Sequence, residues 1–231
     1  MHDRLSSDSR ALAPFDWTIL VAVFAVLGVA ARAIWFTPIE ARQGPAQKIF
    51  YVHPPSAFVG MYIGFGLMAL ASGVYLWLRD ERADLFAESS GEVGLAFLTV
   101  ALVTGPIWGK TVWGTWWTWD ARLTSTLFLW FMVAGYLVLR SAIEDPELRA
   151  RYSAVLALLS VPLILFIHLS VYFFRTLHPM PIVLKPSEPS LSPEMLTTFA
   201  LAFIAMLLLY IALVRARYRL ALDRAHLEGI A

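Results

Sequence analysis

Two histidines and a run of tryptophans carry most of the chemistry that this sequence offers. His53 stands in YVHPP and His178 in TLHPMP, and the proline after each restricts the backbone at the histidine. Between them lies WGKTVWGTWWTWDARLT, from Trp108 to Thr124, with five of the nine tryptophans: Trp108, Trp113, Trp116, Trp117 and Trp119. Neutral imidazole is a good metal ligand, and two can fill both axial positions of a metal carried in a flat macrocycle. Indoles suit such a ring. They equally suit the belt where a chain crosses a membrane surface, having an apolar body and one N–H donor. A single tryptophan would signal only a belt. Five in one short stretch, with two glycines and a charged end, read as a platform for something flat and apolar. The plain alternative for the histidine pair is two interfacial side chains without a ligand.

The remaining polar candidates are few. His168 lies inside an apolar run, where an ionisable residue is expensive and is either functional or a neutral, hydrogen-bonded interior group. His2 and His226 fall in polar tails and read as solvated. Lys48 and Arg122 are the cations nearest the histidines and tryptophans. They could pair with anionic substituents such as haem propionates, or simply snorkel to the surface. Asp120 closes the tryptophan run and could accept an indole N–H, cap the helix that follows, or meet a partner protein. No HExxH occurs, and the absence of cysteine excludes thiolate ligands, disulfides and a CxxCH attachment site. A zinc or copper ion needing three or four side-chain ligands would find too few here.

The elements that must position these residues are membrane helices. Of the 231 residues 59% are hydrophobic and only 15% charged, with a mean hydropathy of +0.66. An ordinary soluble domain carries about 25% charged residues. The expected fold is an all-α polytopic membrane protein of one domain. Its six spans fall at about 17–36, 56–78, 92–107, 123–139, 152–174 and 192–214, with a tryptophan loop over 108–122. RDERADLFAESS and SAIEDPELRAR read as polar connectors. One side of the membrane then holds Arg4, Arg10, Arg79, Arg82, Arg140, Arg149, Arg151, Arg215, Arg217, Arg219 and Arg224. The other holds Arg32, Arg42, Lys48, Lys110, Arg122, Arg175 and Lys185. The excess places both termini in the cytoplasm and turns His53, the tryptophans and His178 outward. A net charge of +1 and the lack of a basic cluster argue against a nucleic-acid partner.

WGTWWTWD, from Trp113 to Asp120, resembles the WWD signature of the haem-handling proteins of cytochrome c maturation. DARLTS, the preceding WGK, YVHPP and HLSVYFFRTLHP are similar to the CcmC (haem exporter protein C) family. The resemblance runs from about the first loop to the fifth. It implies a six-helix inner-membrane protein that is not an enzyme. Such a protein holds haem b as transient cargo on the periplasmic face and presents it to the chaperone CcmE, in a complex with the ABC transporter subunits CcmA and CcmB and with CcmD. Carried over by position, it makes His53 and His178 the axial iron ligands. Trp113, Trp116, Trp117, Trp119 and Asp120 become the haem and chaperone surface, and Arg122 and Lys48 its cations. The sequence departs from the family pattern at Tyr172-Phe173-Phe174, where an acidic residue and paired tryptophans are usual. Two other WWD families, CcmF and CcsA, imply longer chains with more spans and histidines.

Two other function classes compete. A membrane cytochrome b places histidine pairs within helices, and only His168 fits that pattern. A solute transporter with an aromatic gate would carry broken helices and midplane charges, of which prolines and glycines give only a hint.

Overall fold

Inside lipid a backbone can satisfy its polar groups only within itself, and each of the apolar runs does so as a helix. The computed structural model describes residues 16–180, 182–183 and 185–228. His2, Arg4 and Arg10 lie outside the described residues. Six helices are long and apolar enough to cross a membrane: α1 (Trp17–Phe36), α2 (Pro45–Leu78), α3 (Glu81–Trp113), α4 (Ala121–Ala142), α5 (Pro146–Phe173) and α6 (Pro193–Leu227). No strand occurs among the described residues. The protein is an all-α multi-pass membrane protein.

Several helices are longer than the hydrophobic spans, and the differences matter. RDERADLFAESS is no connector. Arg79, at φ 56°, and Asp80 make the whole turn, and Asp80 Oδ1 caps α3 by accepting the Arg82 N–H at 2.9 Å. Helix continues from Glu81 because this stretch is amphipathic. Asp84 faces inward, where its two oxygens accept both guanidinium nitrogens of Arg140 at 2.6 and 2.8 Å. Glu88, one turn on, accepts a third bond at 2.9 Å. Arg140 is thus buried in the bundle and does not count as a loop cation.

At its other end α3 passes through Gly105-Pro106, where the sequence suggested a stop, and runs to Trp113. Gly114, at φ 75°, supplies the left-handed residue that ends it. The tryptophan loop therefore shrinks from 108–122 to 114–120, with Trp108 and Trp113 on the helix. Helix α2 likewise starts at Pro45, in a 3-10 segment, becomes α-helical at His53 and passes through a π segment over Val59–Gly64.

Helices α2 and α3 pack together at the centre; α4 and α5 pair on one side, and α6 carries α1 on the other. The central contact is a backbone approach. A Cβ on Gly60 would lie 2.7 Å from the Gly94 carbonyl oxygen, and one on Gly64 would lie 2.8 Å from Gly94 Cα. Small residues one turn apart allow this closeness, which compensates for the missing hydrophobic force between helices in lipid. Around it Phe65, Met68, Leu98, Leu129, Tyr136 and Ile167 are buried. A separate cluster supports the end of the bundle that carries His53: Ala33, Phe50, Tyr51 and Ala202, with Trp108, Ile182 and Phe199 against it. It fixes the start of α2, and so His53, against α3 and α6.

Candidate functional site

His53 lies in the first α-helical turn of α2, not in a loop before it. Its Nδ1 is 2.9 Å from the Ala101 carbonyl oxygen of α3, with Thr104 Oγ1 at 3.3 Å. The carbonyl can only accept, so Nδ1 carries the proton and Nε2 keeps a free lone pair. A carbonyl bonded to Nδ1–H in this way orients an imidazole for ligation through Nε2 and raises its basicity. Two neighbours make room for it. Pro106 has no N–H and loosens the hydrogen-bond ladder of α3 around this turn. Gly105 has no side chain, and a Cβ there would lie 3.0 Å from His53 Cε1.

His178 follows α5 in the extended segment that leads to α6. Its ring centre is 6.4 Å from that of His53, with the planes inclined at 32°. The sequence segments, 125 residues apart, are thus brought face to face. Two imidazoles that share a metal at about 2.0–2.1 Å per nitrogen, with ring centres about 1.2 Å further back, stand about 6.4 Å apart. The pair has the spacing of two ligands on opposite sides of one metal ion. Among the described residues no group of three or more His, Cys, Asp or Glu is placed to hold a metal, so a metal here must bring its other ligands with it. A metalloporphyrin does.

Burial, then the Arg122 charge and the neighbouring His53, pushes His178 down to about 3, so the ring is neutral and free to ligate. His178 as a whole is half-buried, but its Nδ1 is shut off from solvent and has no hydrogen-bond partner. The Trp117 indole N–H is in the same condition. Buried polar atoms in native proteins are normally satisfied. Either atom could exchange a hydrogen bond with a bound group.

The tryptophans divide by position. Trp113 meets the His178 ring edge-on at 5.4 Å, and Trp108 meets His53 at 5.9 Å while giving its N–H to Gln43 Oε1 at 2.9 Å. Trp117 packs edge-on against Trp119 at 5.8 Å. Trp116 and Trp119 project outward, 59% and 77% exposed.

Asp120 caps α4, its Oδ1 accepting the N–H groups of Arg122 and Leu123 at 3.0 and 2.9 Å. No indole N–H reaches it among the described residues. Arg122, on the first turn of α4, is half-buried beside Asp120, Tyr62 and Tyr172 and close enough to act on both histidines. No carboxylate among the described residues lies within 4 Å of its guanidinium, although the Asp120 charge acts on it. Lys48 is differently employed: its ammonium holds the Thr37 and Pro38 carbonyls at 2.5 and 3.0 Å. It braces the first loop and is not directed at the histidine pair. His168 is hydrogen-bonded through Nδ1 to the Tyr62 hydroxyl at 3.0 Å and, among the described residues, faces no other histidine. Gly105, Thr104 and the Ala101 carbonyl escaped sequence reasoning. The Gly105-Pro106 pair in an apolar run was their one visible signal.

A family profile described as Heme exporter protein C, CcmC, matches residues 4–229. The chain belongs to the CcmC family. It is 37% identical over 219 residues to Heme exporter protein C of Haemophilus influenzae, covering 95% of this chain and 87% of that one. Its identity to Heme exporter protein C of Escherichia coli is 38% over 161 residues, 68% of this chain and 65% of the relative. The Rhodobacter capsulatus protein of the same name is 31% identical over 215 residues, 93% and 88% of the two chains.

Proposed function

We propose that this CcmC family member binds haem b as transient cargo on the outer face of the cytoplasmic membrane. It then passes the haem to the chaperone CcmE in cytochrome c maturation, working with CcmA, CcmB and CcmD. Its own part is ligation and transfer, without a catalytic step. The observation that carries this reading is the 6.4 Å separation of the His53 and His178 rings, which suits two axial ligands of one iron. Trp113 and Trp108 flank the two imidazoles, and Arg122 offers a cation for a carboxylate substituent. Trp116 and Trp119 stand clear of the bundle, where a docking chaperone and an exposed porphyrin edge can meet. The names of the relatives point to the same cargo. The membrane-cytochrome reading would need His168 to face a second imidazole, and the aromatic rings beside it among the described residues are those of Tyr62 and Tyr172.

The test is the absorbance spectrum of detergent-purified protein with haemin. Wild type and His168→Ala should give a six-coordinate low-spin spectrum, and His53→Ala and His178→Ala should each lose it. A wild type that binds no haem, or loss confined to His168→Ala, would overturn the reading.

A further inference from the structure

The Asp120 carboxylate accepts hydrogen bonds from two separate parts of the chain. Its Oδ1 serves the start of α4 through Arg122 and Leu123. Its Oδ2 accepts the Thr118 hydroxyl at 3.1 Å and the backbone N–H of Leu177 at 3.2 Å. A carboxylate has about four lone-pair sites, so the capacity of Asp120 is filled inside the chain and leaves nothing for a partner protein. Three of these bonds are local to the tryptophan loop and the helix after it. The fourth crosses 57 positions of sequence to the residue next to His178.

That crossing matters because the His178 ring has no hydrogen bond of its own, and the next anchor of its segment, Ile182 in the cluster around Phe50, lies four residues on. The His53 ring is anchored through Nδ1 to α3. The His178 ring has no such bond: its Nδ1 is unpartnered, and the contact with Trp113 is an edge of apolar surface. The hydroxyl of Thr176 reaches the His178 carbonyl, but that bond stays within the segment and ties it to nothing. We infer that Asp120 is the positioning residue for His178: by holding the Leu177 N–H it sets the imidazole opposite His53. This rests on the bis-histidine reading above. It has a mechanical consequence. The tryptophan loop and the second ligand are joined through one side chain, so a partner that displaces the loop also withdraws His178, while His53 stays in place. Release of cargo then begins at the His178 side.

The test uses two replacements that keep the helix cap. Asn and Ser cap as well as Asp does. In Asp120→Asn an oxygen that caps α4 leaves an NH2 facing the Leu177 N–H, and in Asp120→Ser the side chain is too short to reach it. In the haem-free full-length protein, amide exchange at Leu177 should speed up at least tenfold in both variants, with Leu123 and the middle of α4 unchanged, as expected for loss of one bond to a charged acceptor. With haemin, both should give the five-coordinate spectrum of His178→Ala, and added imidazole should restore the six-coordinate form. Six-coordinate spectra in both variants would overturn the positioning role, and so would unchanged exchange at Leu177. If wild type bound no haemin the bis-histidine reading would fall, while Leu177 exchange would still decide whether the tether exists.

Discussion

At the scale of single residues the site is built from unequal partners. His53 is fixed by a protein hydrogen bond and by the space that Gly105 leaves, whereas His178 is placed through its backbone. Gly105→Ala separates these effects. Its methyl group would sit 3.0 Å from His53 Cε1 and displace the ring. Alanine is also the better helix former by up to about 1 kcal/mol. Haemin affinity should therefore drop at least tenfold on titration while the haem-free thermal midpoint holds or rises; unchanged affinity would remove Gly105 from the site. His178 gives a pH signature. Its pKa is about 3 in the fold against 6.5 when unfolded. Between these values the unfolded chain holds the extra proton, so the haem-free protein is most stable above pH 6.5 and loses stability as pH falls toward 3. The unfolding midpoint in detergent should decline from about pH 7 to about pH 5, less steeply in His178→Ala. Parallel slopes would mean that burial does not hold this ring neutral.

At the scale of elements, the pairing of α2 with α3 sets the register on which the site depends. Their glycine contact lets α2 lie close enough for His53 to reach the Ala101 carbonyl. A methyl at Gly60 would meet backbone, 2.7 Å from Gly94 oxygen and 2.8 Å from Leu98 nitrogen, and backbone cannot rotate away. Gly60→Ala should destabilise by about 1–3 kcal/mol, the range of overpacking. Gly66, on the same helix, faces open space, and Gly66→Ala should be neutral or slightly stabilising. Thermal midpoints of the two variants in one detergent make the comparison, and equal shifts would show that the close approach does not limit stability. The same logic explains the polar start of α3. Asp84 and Glu88 belong to a helix because Arg140 waits for them in the bundle.

At the scale of the whole molecule, orientation decides whether the site can serve an outer-face partner. Without buried Arg140, the side expected to be cytoplasmic still carries Arg4, Arg10, Arg79, Arg82, Arg149, Arg151, Arg215, Arg217, Arg219 and Arg224, ten cations against seven on the other. Because the chain has no cysteine, single introduced thiols report cleanly. Ser187→Cys, in the segment between α5 and α6, should react with an impermeant maleimide in intact cells. Leu227→Cys, in the tail, should react only after lysis. The reverse pattern would place the histidine pair in the cytoplasm and end the proposed handover to an outer chaperone.

Membrane helices were legible because a span is a local property: apolar length alone commits the backbone to helix. The six spans, the tryptophan stretch and the two proline-flanked histidines could all be read along the chain, as could the family. Helix ends were less legible, since RDERADLFAESS looks like a connector until Arg140 is placed beside Asp84 and Glu88. The roles within the site depended wholly on the tertiary structure. Lys48 turned to the Thr37 and Pro38 carbonyls, Gly105 became the floor under His53, and Asp120 reached Leu177. Each is a contact between segments far apart in sequence, fixed by how α2, α3 and the segment after α5 meet, and no local pattern of residues encodes such a distance.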